Sequence, residues 1–267
     1  PFSNGRDLID SGLVDAVVVA TPHFDHTETG IHALQRGLHT LVDKPISVHK
    51  GDCQRLFAAH TDPNVVFGGI FNQRTHPAYA KVKEWITDGT LGTIIRVNWT
   101  ATHWYRTQSY FASAPWRGTW AREGGGVLLN QCLHQLDLLC WLLGPPKQVQ
   151  GFCQNGRFHR CETEDAATAY LQWESGCTGV FTASTGESPG VNRLEIAGEG
   201  GLAIIEGNSL LFFKNAVPTD IHRPQKGNTW GRPEVTEERF VFPNEGEQHL
   251  GILKDFTRAI LTGAPLL

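Results

Sequence analysis

Residues 15–45 read DAVVVATPHFDHTETGIHALQRGLHTLVDKP. Asp15 to Ala20 is an apolar run without alternation, which suits a strand buried on both faces of a parallel sheet. Thr21-Pro22 breaks the strand, and Asp25 to Arg36 follows as a helix whose Ile31, His32 and Leu34 face inward. Gly37 stops that helix, and Leu38 to Val42 is a second strand. Two strands joined through a helix form a βαβ unit. The second strand ends in Asp43-Lys44-Pro45, a charged pair set against a proline at the carboxyl edge of the sheet, where open α/β sheets bind their ligands.

Working outward, Asp7 to Gly12 reads as the end of a helix closed by glycine. Ser47 to His60 is a helix with Cys53, Leu56 and Phe57 on its buried side, and Val65 to Ile70 is a third strand. That completes βαβαβ. No G-x-G-x-x-G follows a strand, and Gly198-Glu-Gly-Gly201 reads as a hairpin turn. The chain holds no Met and opens on a helix-like fragment. The expectation is that the glycine loop lies upstream of residue 1. This chain alone would then bind no dinucleotide and would leave a strand edge and apolar helix faces uncovered.

From Asn72 the texture changes, which sets an expected boundary between a nucleotide-binding part, 1–71, and a substrate-binding α+β part, 72–267. His76 to Asp88 is a helix, Ile94 to Trp104 a long strand, and Tyr105 to Glu123 a loop rich in Trp, Tyr and Arg; loops of that length usually carry function. Gly124-Gly-Gly126 permits close approach of backbone to something bulky. A helix is expected from Val127 to Leu143, with Leu129, Leu133, Leu136 and Cys140 as its core stripe. Asn130, His134 and Asp137 at i, i+4 and i+7 would line a second, chemical face. Strand-like segments then recur at Lys147–Cys153, Ala166–Trp173, Cys177–Ser184, Asn192–Ala197, Leu202–Glu206 and Leu210–Lys214, with short turns that argue for antiparallel pairing. Thr219 to Pro233 reads as an exposed excursion and Gly246 to Leu261 as a final amphipathic helix.

With 267 residues, a net charge of −4 and no block of like charge, neither nucleic acid nor an anionic membrane is an expected partner. No apolar run approaches the ~20 residues that span a bilayer. Six cysteines without a CxxC pair point to buried thiols, no structural disulfide and a cytoplasmic setting.

Ala20-Thr21-Pro22-His23-Phe24-Asp25-His26, Asp43-Lys44-Pro45, and Gly124-Gly-Gly126 followed by His134 and Asp137 together resemble the Gfo/Idh/MocA oxidoreductases, the glucose-fructose oxidoreductase and inositol dehydrogenase family. The resemblance runs from about Leu8 to the end. It implies a Rossmann domain that holds NAD or NADP, and a second α+β domain with a large, mostly antiparallel open sheet. That sheet would also mediate a homo-oligomer, a dimer or tetramer. The implied activity is hydride transfer between the nicotinamide and a hydroxyl or ketone of a sugar or polyol. By motif, Thr21, Pro22, His23, His26, Asp43, Lys44, Pro45, Trp116 and Arg117 would border the cofactor. Lys44 and His134 would be catalytic: a nearby ammonium favours a developing alkoxide, and an imidazole near its reference pKa of ~6.5 suits proton exchange. Asn130 stands where the family most often has Asp; its amide would orient His134 without offsetting imidazolium charge. Trp104, Tyr105 and Arg106, with Gln73 and Arg74, are the expected substrate wall, since a sugar ring asks for flat apolar faces and donors together. The Lys44-Pro45 bond is expected to be cis.

Three rival readings remain open on sequence alone. A metal hydrolase would use His23, His26 and His32, although their spacing matches no established ligand pattern. An NAD-dependent glycosidase would oxidise its sugar only transiently. A non-catalytic sugar- or nucleotide-binding relative would bind without turnover.

Overall fold

The computed structural model describes residues 1–223, 229–242 and 248–267. The elements run α1 (Gly5–Asp10), β1 (Ala16–Val19), α2 (Asp25–Gln35), β2 (His39–Val42), α3 (Lys50–Ala59), β3 (Phe67–Gly69), a 3₁₀ turn (Asn72–Thr75) and α4 (Pro77–Thr87). Then come β4 (Ile94–Ala101), α5 (Gln108–Ala112), α6 (Leu133–Leu143), β5 (Gln148–Asn155), β6 (Glu164–Gln172), β7 (Thr178–Ser184), β8 (Asn192–Gly198), β9 (Gly201–Glu206), β10 (Ser209–Asn215), α7 (Thr219–His222), β11 (Val235–Val241) and α8 (Gln248–Thr262).

β1, β2 and β3 pair in parallel in that order, with Val17 opposite Thr40 and Thr40 opposite Phe67. One face is packed by Ile9, Ala33, Leu34 and Leu56 against Val17, Val19 and Val42. The other receives α8, whose Ile252 and Phe256 bury Leu41 and Ile70. α8 therefore returns to the small sheet rather than staying with the large one. β1 is not buried on both faces as its sequence suggests: Val18 is 50 % exposed, because the α8 cluster lies on β2 and the chain that follows β3.

The second sheet has eight strands in the order β11-β10-β9-β8-β4-β7-β6-β5, antiparallel except for the β4–β7 pair. Its core face is filled by α4 and α6: Tyr79, Val82, Trp85, Leu138, Leu139 and Leu142 meet Trp99, Phe181, Ile196 and Phe212. Trp85 stacks on Phe212 at 4.5 Å between ring centroids. Burial of each such large side chain is worth roughly 1.5–3 kcal/mol.

Two elements depart from the sequence reading. β11 lies where no strand was expected; VTEERFV is polar because it is an exposed edge strand, paired among the described residues only with β10, and charge on an edge discourages further pairing. α6 starts at Leu133 and not at Val127. Before it, Val127 donates to the Glu164 carbonyl at 2.8 Å and Gly126 and Leu128 donate to its carboxylate, which ties the segment to β6, while the Asn130 and Cys132 N–H groups bond back to the Gly126 and Val127 carbonyls. The buried stripe of α6 is accordingly Gln135, Leu138, Leu139 and Leu142, while Cys140 is exposed. Of the expected excursion at Thr219–Pro233, residues 224–228 lie outside the described residues, as does Gly246.

Candidate active site

The end of β2 delivers Lys44 into the space between the two sheets. Lys44 N–H donates to Asp43 Oδ1 at 2.8 Å, and the Lys44-Pro45 peptide is cis. Lys44 Nζ donates to both the backbone O and the Oδ1 of Asn130, each at 2.9 Å. An ammonium has three protons, so these contacts leave one for a ligand. Burial pushes the Lys44 pKa below its usual range, and Asp43 and Glu123 pull it back up.

Asn130 therefore serves Lys44 rather than orienting His134, which corrects the sequence expectation. Because residues 127–132 are not regular helix, Asn130 does not stack one turn before the imidazole. Its Nδ2 instead donates to Glu123 Oε1. Glu123 is only 2 % exposed, and its other oxygen accepts from the Gly118 N–H. Sequence reasoning missed this carboxylate; its only signal is its place at the end of the aromatic loop, directly before the glycines. Those glycines approach protein and not a ligand: a Cβ on Gly126 would sit 1.9 Å from the Glu164 carbonyl oxygen, and one on Gly124, at φ +88°, would strike Val48.

His134, in the first turn of α6, faces Phe71 edge-on at 6.4 Å. Burial lowers its pKa to about 4, the Lys44 charge adding to the effect. The imidazole is thus neutral at pH 7, below the near-neutral titration expected from sequence. Its Nδ1 is buried with no hydrogen-bond partner among the described residues. One turn on, Asp137 is gripped by Arg74 through Nε at 2.8 Å and Nη2 at 2.5 Å. Burial raises the Asp137 pKa while the Arg74 contact opposes it. Arg74 also donates to the Leu267 carbonyl and covers the Phe71 ring. It is committed to bracing α6, which removes it from the expected substrate set; Gln73 stays half-buried on the same 3₁₀ turn.

Beside Lys44 a cleft of about 590 Å³ opens at the carboxyl ends of β1 and β2, lined by Ala20, Thr21, Pro22, His23, Phe24, Asp43, Trp116, Ala121 and Arg122. Five of the expected cofactor residues meet there: Thr21, Pro22, His23, Asp43 and Trp116. His23 Nδ1 donates to the Glu123 carbonyl at 3.0 Å, and its ring meets Trp116 edge-on. His26 does not belong to this set. It is 1 % exposed and both ring nitrogens lie 2.7 Å from carbonyl oxygens of Pro45 and Thr21, so it clasps two strand ends together. Pro45 is likewise buried and presents that carbonyl to His26. His32 goes to Asp10, so the three histidines of the metal reading have separate partners. Arg117 stacks on Tyr110 and Trp116 at 4.1 and 4.3 Å and donates to the Tyr110 hydroxyl. Trp104 and Arg106 form a second stack, in which the indole Nε1 and the guanidinium Nε are buried without protein partners among the described residues; Tyr105 is half exposed.

The cleft suits the nicotinamide end of a dinucleotide. Pro22 and Trp116 give it flat apolar walls, it opens at the strand ends where such ligands sit, and the adjacent ammonium keeps a free donor. Among the described residues no group of three or more His, Cys, Asp or Glu is arranged to hold a metal ion.

Comparison with known proteins agrees with this architecture. Levoglucosan dehydrogenase of Pseudarthrobacter phenanthrenivorans is 30 % identical over 144 residues, 53 % of this chain and 36 % of its own length. Myo-inositol 2-dehydrogenase of Thermotoga maritima is 26 % identical over 271 residues, 99 % of this chain and 75 % of its own. The chain therefore aligns with little more than a third of the first relative and three quarters of the second. The crystal structure of the WlbA dehydrogenase from Bordetella pertussis, in complex with NADH and UDP-GlcNAcA, superposes with a TM-score of 0.74 at 27 % identity, over 100 % of this chain and 70 % of that one. Residues 1–69 match the oxidoreductase family's NAD-binding Rossmann fold and residues 79–204 the GFO/IDH/MocA C-terminal domain, so the chain belongs to the GFO/IDH/MocA oxidoreductase family.

Proposed function

We propose that this protein is an NAD(P)-dependent oxidoreductase acting on a hydroxyl or ketone of a sugar, polyol or related carbohydrate. The observation that carries the reading is the Lys44 ammonium, held by Asn130 with one proton to spare on the residue that follows Asp43 of the strand-end cleft. Related dehydrogenases of levoglucosan and myo-inositol support the substrate class.

In this reading Thr21, Pro22, His23, Asp43 and Trp116 hold the nicotinamide end of the cofactor, which supplies the hydride acceptor or donor. Lys44 donates a hydrogen bond to the substrate oxygen and stabilises negative charge as it develops there, an interaction that strengthens toward the transition state. His134, neutral at rest, receives the hydroxyl proton at a ring nitrogen and becomes imidazolium until it passes the proton on. The Trp104–Arg106 stack, with the half-exposed Tyr105 beside it, forms the substrate wall and offers a ring face to the sugar. The test is to offer the whole protein a panel of sugars and polyols with NAD⁺ and NADP⁺ and follow reduced nicotinamide; turnover with at least one polyhydroxylated substrate is expected, and none across the panel would contradict the reading.

We further propose that the open face of the large sheet pairs copies of the chain. Phe152, Tyr170 and Val180, which the strand register places on one face, are 70 %, 46 % and 41 % exposed. Six free thiols, among them the exposed Cys140 and Cys153, fit a reducing cytoplasm. Among the described residues no helix is long and apolar enough to cross a membrane.

A further inference from the structure

Glu123 is a buried carboxylate with no place in the mechanism above. Its oxygens accept from two N–H donors, Gly118 N and Asn130 Nδ2, each at 2.5 Å, the pattern of an ionised acid. The Asn130 amide is polarised by its neighbours: Nδ2 faces the carboxylate and Oδ1 faces the ammonium. Turned over, it would set N–H against ammonium and oxygen against carboxylate. Glu123 thus stands two hydrogen bonds from Lys44, with a neutral dipole aligned between them.

We propose that Glu123 is the counter-ion and positioning residue of Lys44, acting through the Asn130 amide, and that its charge can be moved along this relay without breaking it. The relay has a definite logic of donors and acceptors. Glu123→Gln alone presents N–H either to Gly118 N–H or to the Asn130 amide N–H, so one contact is lost along with the charge. Asn130→Asp alone sets two carboxylates in hydrogen-bond contact, and one must take a proton. The double variant Asn130→Asp with Glu123→Gln satisfies every partner: the new amide donates to the new carboxylate and accepts from Gly118, and the carboxylate now touches Lys44 directly. The other charged or titratable groups facing Lys44 are Asp43, His23 and His134, and all stay unchanged in these variants.

The inference rests on the proposed function only for the role of Lys44 in catalysis. The experiment reads the ionisation of Lys44 itself and is independent of any substrate. The side-chain resonance of Lys44 is titrated by NMR in ¹³C-lysine-labelled protein, assigned with Lys44→Arg, alongside the melting temperature of each variant. Glu123→Gln is expected to lower the Lys44 pKa by about one unit, and the double variant to raise it above wild type by about one unit. Both single variants should melt below wild type and the double variant above either. An unchanged Lys44 pKa in Glu123→Gln, or a double variant that titrates with wild type or melts with the weaker single, would overturn the assignment.

Discussion

Lys44 and Asn130, 86 positions apart, meet through two hydrogen bonds from one ammonium to the carbonyl and amide oxygens of a single residue. The contact joins the end of a parallel strand to the segment that leads into α6. It fixes Lys44 in place before any ligand arrives, and a preorganised donor stabilises charge without reorganisation at the moment of reaction. It also explains why residues 127–132 leave the helix: an α-helical Asn130 would spend its carbonyl inside the helix and not on Lys44.

The Arg74–Asp137 pair gives the first prediction. The carboxylate side chain is only 9 % exposed and the guanidinium 24 %. Arg74→Ala leaves a buried acid unpaired and should cost about 2–3 kcal/mol in denaturant unfolding, a partly buried case of the loss seen when one partner of an ion pair is removed. Arg74→Met combined with Asp137→Leu should recover most of the loss. If Arg74→Ala unfolds with wild type, the brace is not what holds α6.

His134 sets a pH dependence whose sign follows from burial. Its folded pKa of about 4 lies below the ordinary 6.5, so the unfolded chain binds the extra proton across that interval. Stability contributed by keeping the ring neutral is therefore present above pH 6.5 and lost as pH falls toward 4. Thermal melts of wild type and His134→Leu from pH 7 to pH 5 check this: wild type should lose more. Parallel curves would place the histidine in solvent.

Gly126 lies against the Glu164 carbonyl so closely that no side chain fits. Gly126→Ala must push apart the segment before α6 and β6, and a loss of about 3 kcal/mol or more is expected from overpacking and the broken contacts to Glu164. Gly144, with open space around its Cα but φ +77°, should cost only about 1 kcal/mol on replacement by Ala. Similar losses at both sites, measured by chemical denaturation, would speak against the close approach.

Phe152 provides a fourth test, on the proposed pairing of copies. Phe152→Glu on the open sheet face should reduce the mass found by light scattering while leaving the melting temperature of the isolated chain within about 1 °C. An unchanged mass would remove this face from the interface.

Much of the fold was legible. Continuous apolar runs marked β1 to β3, and glycines such as Gly37 and Gly89 marked helix ends, because those signals are local. β11 was not legible, since an edge strand paired on one side needs no apolar alternation. The start of α6 was misplaced because the segment before it is held by Lys44 and Glu164, both far from it along the chain. In the site, Lys44 stood out at a strand end, while His26 looked like a ligand residue and proved a buried clasp. Glu123 left no signal beyond its place before the glycines, since its meaning lies in contacts with Asn130, Gly118 and His23 that only the folded chain creates.

The role proposed for Lys44, stabilising charge on a reacting oxygen, is tested most directly by steady-state kinetics of Lys44→Ala in the whole protein on the substrate that the panel identifies, with cofactor affinity measured in parallel. The account predicts a fall in kcat of about 10²–10³-fold, as for loss of one preorganised donor, with cofactor Kd changed less than about threefold. Unchanged kcat, or a loss confined to cofactor binding, would contradict it.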